Sequence, residues 1–142
     1  VNDYCHNCLY HNTNGKLKYI AKILNSLDTA SGMSVSWGDF DHDGWIDLYV
    51  ANMFSSAGNR ITKQQQFKSG NESLQGIYSR FAKGNTLLRN VGAEHFEDVG
   101  GPAGVEMGRW AWSSLFTDLN NDTWDDLLVA NGYISTDDTG DL

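Results

Sequence analysis

Two stretches decide the fold: MSVSWGDFDHDGWIDLYVAN at residues 33–52 and WSSLFTDLNNDTWDDLLVAN at residues 112–131. They align at an offset of 79 residues, which places Asp39 on Asp118 and Asn52 on Asn131. A weaker echo precedes each: LYHNTNGKLKYI from Leu9 and LLRNVGAEHFEDV from Leu87, aligned with a one-residue gap. Self-similarity at a fixed period is the signature of a repeat architecture. The chain holds two copies of one unit.

Each copy divides into the same parts. A short apolar-alternating run (9–12; 87–90) leads through a glycine-containing turn to a second run (17–20; 96–99). In the third run (33–40; 110–117), Val35 and Trp37 alternate with Ser34 and Ser36, and Trp110, Trp112 and Ser114 with their neighbours. Period-two alternation fits half-buried strands. An Asp-rich loop and an apolar fourth run (46–51; 127–130) follow, giving an expectation of eight short strands. Fifteen Gly against one Pro fits such a turn-rich, mostly β chain.

Loop one, DFDHDGWID, puts Asp39, Asp41 and Asp43 at positions 1, 3 and 5, Gly44 at 6, Trp45 at 7 and Asp47 at 9. Carboxylates at alternate positions of a tight turn converge, and like charges about 4 Å apart repel by about 4 kcal/mol at an effective dielectric near 20. A hard cation with six to eight oxygen ligands removes that conflict. The Trp45 carbonyl would add a main-chain oxygen, and Gly44 permits a positive φ. An all-oxygen set on a flexible loop favours Ca²⁺ over Mg²⁺, which needs tighter octahedral geometry. Loop two, DLNNDTWDD, offers Asp118, Asn120, Asp122, Trp124 (carbonyl) and Asp126 at the same positions. Asn120 removes a charge there, and Thr123 replaces the glycine with a β-branched residue that disfavours positive φ, so weaker binding is expected. An EF-hand does not fit: position 12 of loop one is Val50 rather than Glu, and WIDLYVAN reads as strand.

The units DFDHDGWIDLYVAN and DLNNDTWDDLLVAN, each preceded by an LYHN or LLRN run, resemble FG-GAP/VCBS repeats. These form the blades of integrin-α-like β-propellers and of secreted cartilage-acidic-protein-like proteins. The resemblance spans nearly the whole chain except residues 53–86 and the last ten residues. It implies an all-β, propeller-type fold in which each loop joins the first two strands of a blade around a structural Ca²⁺. Carried over residue by residue, Asp39, Asp41, Asp43, Trp45 and Asp47 fit one site, and Asp118, Asn120, Asp122, Trp124 and Asp126 a second. On this phasing residues 33–99 hold one complete blade, residues 1–32 close a preceding blade and residues 100–142 open the next. A propeller takes roughly four to eight blades, so one complete blade flanked by two half blades cannot close alone. Further blades of the same chain, or self-assembly through exposed strand edges, are the expected partners.

Between the copies, residues 53–86 break the pattern. Leu74, Ile77, Tyr78 and Phe81 fall on one helix face, with Asn71 as N-cap, Glu72 in the first turn, Arg80 and Lys83 in the last, and Gly84 beyond it. A short helix over residues 71–83 is expected. Five of the ten basic residues sit in this insertion, which reads either as a solvated surface element or as a partner-binding arm.

Composition narrows the function. Eighteen acidic against ten basic residues leave a net charge of −8 over 142 residues, which argues against nucleic acid or an anionic membrane as partner. No apolar run reaches the roughly 20 residues of a membrane-spanning helix, and no signal-type stretch opens the chain. The start at Val1 rather than Met points to a processed or excised segment. No nucleophile elbow, zincin motif or phosphate-cradling loop is present, so no enzyme is expected. Cys5, Cys8 and His11 read as half a metal or haem site, a local disulfide, or strand residues. Asn71-Glu72-Ser73 is an N-glycosylation sequon. The five tryptophans could stack on sugars or fill the blade core.

The expected protein is therefore a Ca²⁺-binding FG-GAP/VCBS segment with up to two structural ions, from an extracellular, cell-surface or periplasmic binding or adhesion protein. Its ligand would be a protein or a glycan. The alternatives are a lectin-like propeller and a non-catalytic domain of a larger secreted enzyme.

Overall fold

The computed structural model describes residues 1–2, 6–64, 67, 70–92 and 95–132. Cys5 lies outside them, and with it the question of how Cys5, Cys8 and His11 are arranged. Among the described residues the chain is mostly β-strand with two short helices, and its sheets close no barrel.

β1 (Tyr10–Thr13) and β2 (Lys16–Tyr19) form a hairpin turned by Asn14 and Gly15, both at positive φ, with Asn12 Oδ1 accepting the Gly15 N–H at 2.8 Å. β3 (Gly32–Gly38), β4 (Asp47–Asn52), β5 (Thr86–Asn90) and β6 (Phe96–Asp98) make an antiparallel four-stranded meander. β7 (Ala111–Thr117) and β8 (Asp126–Asn131) form a third, two-stranded sheet. The β3–β4 and β7–β8 pairs share one irregularity, a register shift two residues into the first strand. Repeated sequence has produced repeated detail.

β4 is buried at all six positions because both sheet faces are covered, which explains why residues 48–51 within it are apolar without alternation. On one face Leu48, Val50, Leu88 and Phe96 pack with Leu9 and Leu24. On the other, Tyr49, Ala51 and Leu87 pack with Ala111, Phe116 and Val129 of the third sheet. β7 lies across β3: Ser114 N donates to Ser34 Oγ at 3.0 Å and Phe116 N to Ser36 Oγ at 2.9 Å. This approach needs small residues. A Cβ on Gly38 would sit 2.8 Å from the Phe116 ring.

The insertion forms α1 (Ser56–Thr62) and α2 (Glu72–Lys83). α2 occupies the expected span, capped by Asn71 Oδ1 accepting Leu74 N–H at 3.0 Å. Two expectations need correction. The insertion holds a second helix, α1, which the sequence pattern does not announce because its seven residues bury nothing and carry no apolar period. The expected apolar face of α2 is also not the buried one: Leu74, Ile77 and Tyr78 are exposed, and Ala82, packed toward Gly58 of α1, is the buried residue. The tryptophans differ from a core reading too, since Trp37, Trp45, Trp112 and Trp124 are each about half exposed. Two of the insertion's basic side chains are held within the chain. Arg80 pairs with buried Asp28 at 2.9 Å, and Lys83 reaches Asp98 at 3.1 Å and Glu106 at 2.6 Å.

Candidate metal centre

Loop one turns the chain from β3 into β4. Asp39 accepts Asp43 N–H (3.1 Å) and Gly44 N–H (3.0 Å) on its two oxygens, Asp41 accepts Asp43 N–H (3.3 Å), and Asp43 accepts Trp45 N–H (2.8 Å). Each carboxylate thus hydrogen-bonds the backbone a few residues ahead and curls the loop inward. Asp39, Asp41 and Asp43 each bring an oxygen within 4.8 Å of the others.

Asp47 also holds main chain from two elements. It is fully buried, with Oδ2 accepting Phe40 N–H at 3.1 Å and Oδ1 accepting Asn90 N–H at 2.8 Å, so it staples the loop to β5. Burial pushes its pKa up against these two bonds, and the nearby Asp41 and Asp43 charges add to the rise. Each of its oxygens accepts one main-chain N–H, as those of Asp39 do, and it lies outside the group of three whose oxygens converge. Trp45 is placed by its N–H to Asp43, with its ring beside Gly92.

Loop two repeats the bonds within loop one, without a counterpart of the Asp47–Asn90 bond among the described residues. Asp118 accepts Asp122 N–H (3.1 Å) and Thr123 N–H (2.8 Å), Asn120 accepts Asp122 N–H (3.0 Å), Asp122 accepts Trp124 N–H (2.9 Å), and Asp126 accepts Leu119 N–H (3.1 Å). Thr123 follows Gly44 into the left-handed region, at φ +77° against +87°. The β-branched residue therefore leaves the loop's path unchanged and carries the strain itself. Asn120 does change the chemistry, donating to Asp122 Oδ2 at 2.9 Å where loop one has a third carboxylate. The Asp122 pKa is lowered, chiefly by the Trp124 N–H and then by Asn120.

Three residues at the site escape the sequence reading. His42 of loop one stacks on Trp124 of loop two, centroids 4.1 Å apart and planes within 2°, so the loops are neighbours. Asn90 donates from Nδ2 to the Ile46 carbonyl at 3.2 Å. Arg89, on β5, sets its guanidinium against loop one: Nε stands 2.6 Å from Asp41 Oδ2 and Nη2 3.3 Å from Asp43 Oδ2. The Asp41 charge raises the Arg89 pKa against partial desolvation. The one visible signal is a basic residue in the LLRN run preceding Asn90.

The donor set is all oxygen and anionic, the kind a hard divalent cation takes, and a cationic side chain already stands against it. A family model for the FG-GAP-like repeat matches residues 1–50, a span that contains β1–β3, loop one and the start of β4. No curated protein and no solved structure matches the chain. The chain thus carries an FG-GAP-like repeat, matched over residues 1–50.

Proposed function

We propose that the chain is a Ca²⁺-binding, non-catalytic segment of an extracellular binding or adhesion protein, with the ion bracing its β-sheets. The observation that carries this reading is the recurrence of one loop scaffold, bond for bond, at both Asp-rich turns. The family match over loop one supports it, because FG-GAP repeats often bind Ca²⁺ and are typically extracellular. Asp39, Asp41 and Asp43, with the Trp45 carbonyl, would hold one ion; Asp118, Asn120, Asp122 and the Trp124 carbonyl would hold the second. Asp47 and Asp126, at the ninth position of each loop, would complete the two sets while also bonding the loop main chain at Phe40 and Leu119. A bound ion supplies positive charge that lets clustered carboxylates stay ionised in the folded state. Among the described residues no helix is long and apolar enough to cross a membrane.

In the same reading the sheets are propeller blades: β3–β6 a complete one, β1–β2 the end of its predecessor and β7–β8 the start of its successor. The repeat itself supports this. β7 turns Ser114 and Phe116 toward β3, and their counterparts 79 residues earlier, Val35 and Trp37, are exposed on β3. Leu115, the counterpart of Ser36, is exposed on β7. Each is the face that a further repeat, or a second copy of the chain, would cover. A lectin-like reading is favoured by one observation: Trp45 and Trp124 are half exposed on the loops, surface aromatics of the kind that stack on sugar rings, with one face of Trp124 already covered by His42.

Thermal unfolding tests the central reading. At free Ca²⁺ about 100-fold above the dissociation constant one site adds roughly 2.7 kcal/mol, so the melting temperature should rise on adding Ca²⁺ and fall back with chelator. Asp43→Ala should remove the part of that rise owed to loop one. A wild-type melting temperature indifferent to millimolar Ca²⁺ would refute the reading.

A further inference from the structure

The geometry around Arg89 bears on how loop one is regulated. β5 is pinned on both sides, paired to β4 and β6 and bonded through Asn90 N–H to Asp47, so the Arg89 backbone cannot drift from the loop. The side chain is less constrained, with 40% of it exposed. A guanidinium gains most when two parallel N–H groups meet one carboxylate. Here the fork straddles two carboxylates instead. Nη2 makes a long hydrogen bond to Asp43 Oδ2, at 3.3 Å. Nε is close to Asp41 Oδ2 but misaligned, and this buried N–H has no hydrogen-bond acceptor. The pairing satisfies charge and leaves a donor unmet. Loop two differs: the donor facing Asp122 Oδ2 is the neutral Asn120 amide.

We infer that Arg89 is a built-in competitor for the loop-one cation. It neutralises Asp41 and Asp43 when no ion is bound and must swing into solvent when one binds. The inference rests on the reading of loop one as a cation site. A divalent ion held by the oxygens that Arg89 touches would repel the guanidinium at contact distance. The free energy of the Arg89 pairing is therefore subtracted from ion binding at loop one. In return, the loop stays folded without the ion. The extra carboxylate and the glycine that should favour loop one over loop two are offset by this internal cation.

The test places Arg89→Gln and Arg89→Met in a background with loop two silenced by Asp118→Asn and Asp122→Asn. Terbium luminescence sensitised through Trp45, with Ca²⁺ as competitor, reads loop one alone. Both variants should bind Ca²⁺ about three- to tenfold more tightly than the parent, while their ion-free melting temperatures fall. Arg89→Lys, which keeps a charge, should stay nearer the parent affinity. Binding that appears in the variants when the parent shows none would also support competition. Equal or weaker affinity in the variants overturns the inference and leaves the cation site standing. No binding in parent or variant overturns both. Should a variant need Ca²⁺ to fold, its refolding midpoint in Ca²⁺, followed by circular dichroism, is the reading, and it must lie below the parent's dissociation constant.

Discussion

Thr123 and Gly44 occupy the same turn of the two loops, one with a branched Cβ and one without any. A β-branched residue in the left-handed region costs about 1–2 kcal/mol, and loop two tolerates it because Asp118, Asn120 and Asp122 hold the backbone from both sides. Thr123→Gly should therefore stabilise the protein by about 1 kcal/mol, and Gly44→Thr should destabilise it by a similar amount. Nothing lies within 4 Å of a Cβ on Gly44, so that cost is one of backbone conformation alone. Urea unfolding in chelator measures both. A neutral Thr123→Gly would mean the φ is not strained. The sequence exposes Asp39, Asp41 and Asp43 because their geometry is local, set within five residues. It hides the work of Asp47 and the presence of Arg89, because the Asn90 partner of Asp47 lies 43 positions away and Arg89 lies 46 from Asp43.

At the level of elements, alternation and capping are dependable guides. β3 follows from Val35 and Trp37 alternating with serines, and α2 from Asn71, Glu72, Arg80 and Gly84 at its ends. What holds α2 to the sheet is not legible in the same way. The position of Arg80 in the last helical turn explains its charge locally, yet it pairs with Asp28, a nearly fully buried carboxylate in the irregular segment between β2 and β3. Thr86 Oγ1 donates to Asp28 at 2.6 Å, Asn52 Nδ2 at 3.0 Å and Ala30 N–H at 3.0 Å. No local pattern joins residues 28, 52, 80 and 86. Burial raises the Asp28 pKa, but the Arg80 charge and these donors outweigh it, so the folded value lies below the ordinary 3.8. The contribution is thus complete above that ordinary value and is lost as pH falls through the folded one. Asp28→Ala should cost about 3–5 kcal/mol at neutral pH, and the gap to wild type should narrow on acidification below pH 4. A gap independent of pH would show that Asp28 acts through packing rather than charge.

For the molecule as a whole, the 79-residue self-match is the most informative feature, since the sequence alone places two Asp-rich turns and their flanking strands through it. Contacts between the copies are beyond its reach. The His42–Trp124 stack and the serine-lined crossing of β7 on β3 depend on how one sheet is rotated against the next, which no single unit encodes. Those contacts bring the two acidic loops side by side, so ion binding at both would brace the whole assembly of sheets. The most direct test is a count of bound calcium per chain, by equilibrium dialysis and atomic emission at millimolar Ca²⁺. The account predicts two ions for wild type and one after Asp39→Asn with Asp43→Asn. No bound calcium in wild type, or a count unmoved by that double substitution, would contradict it.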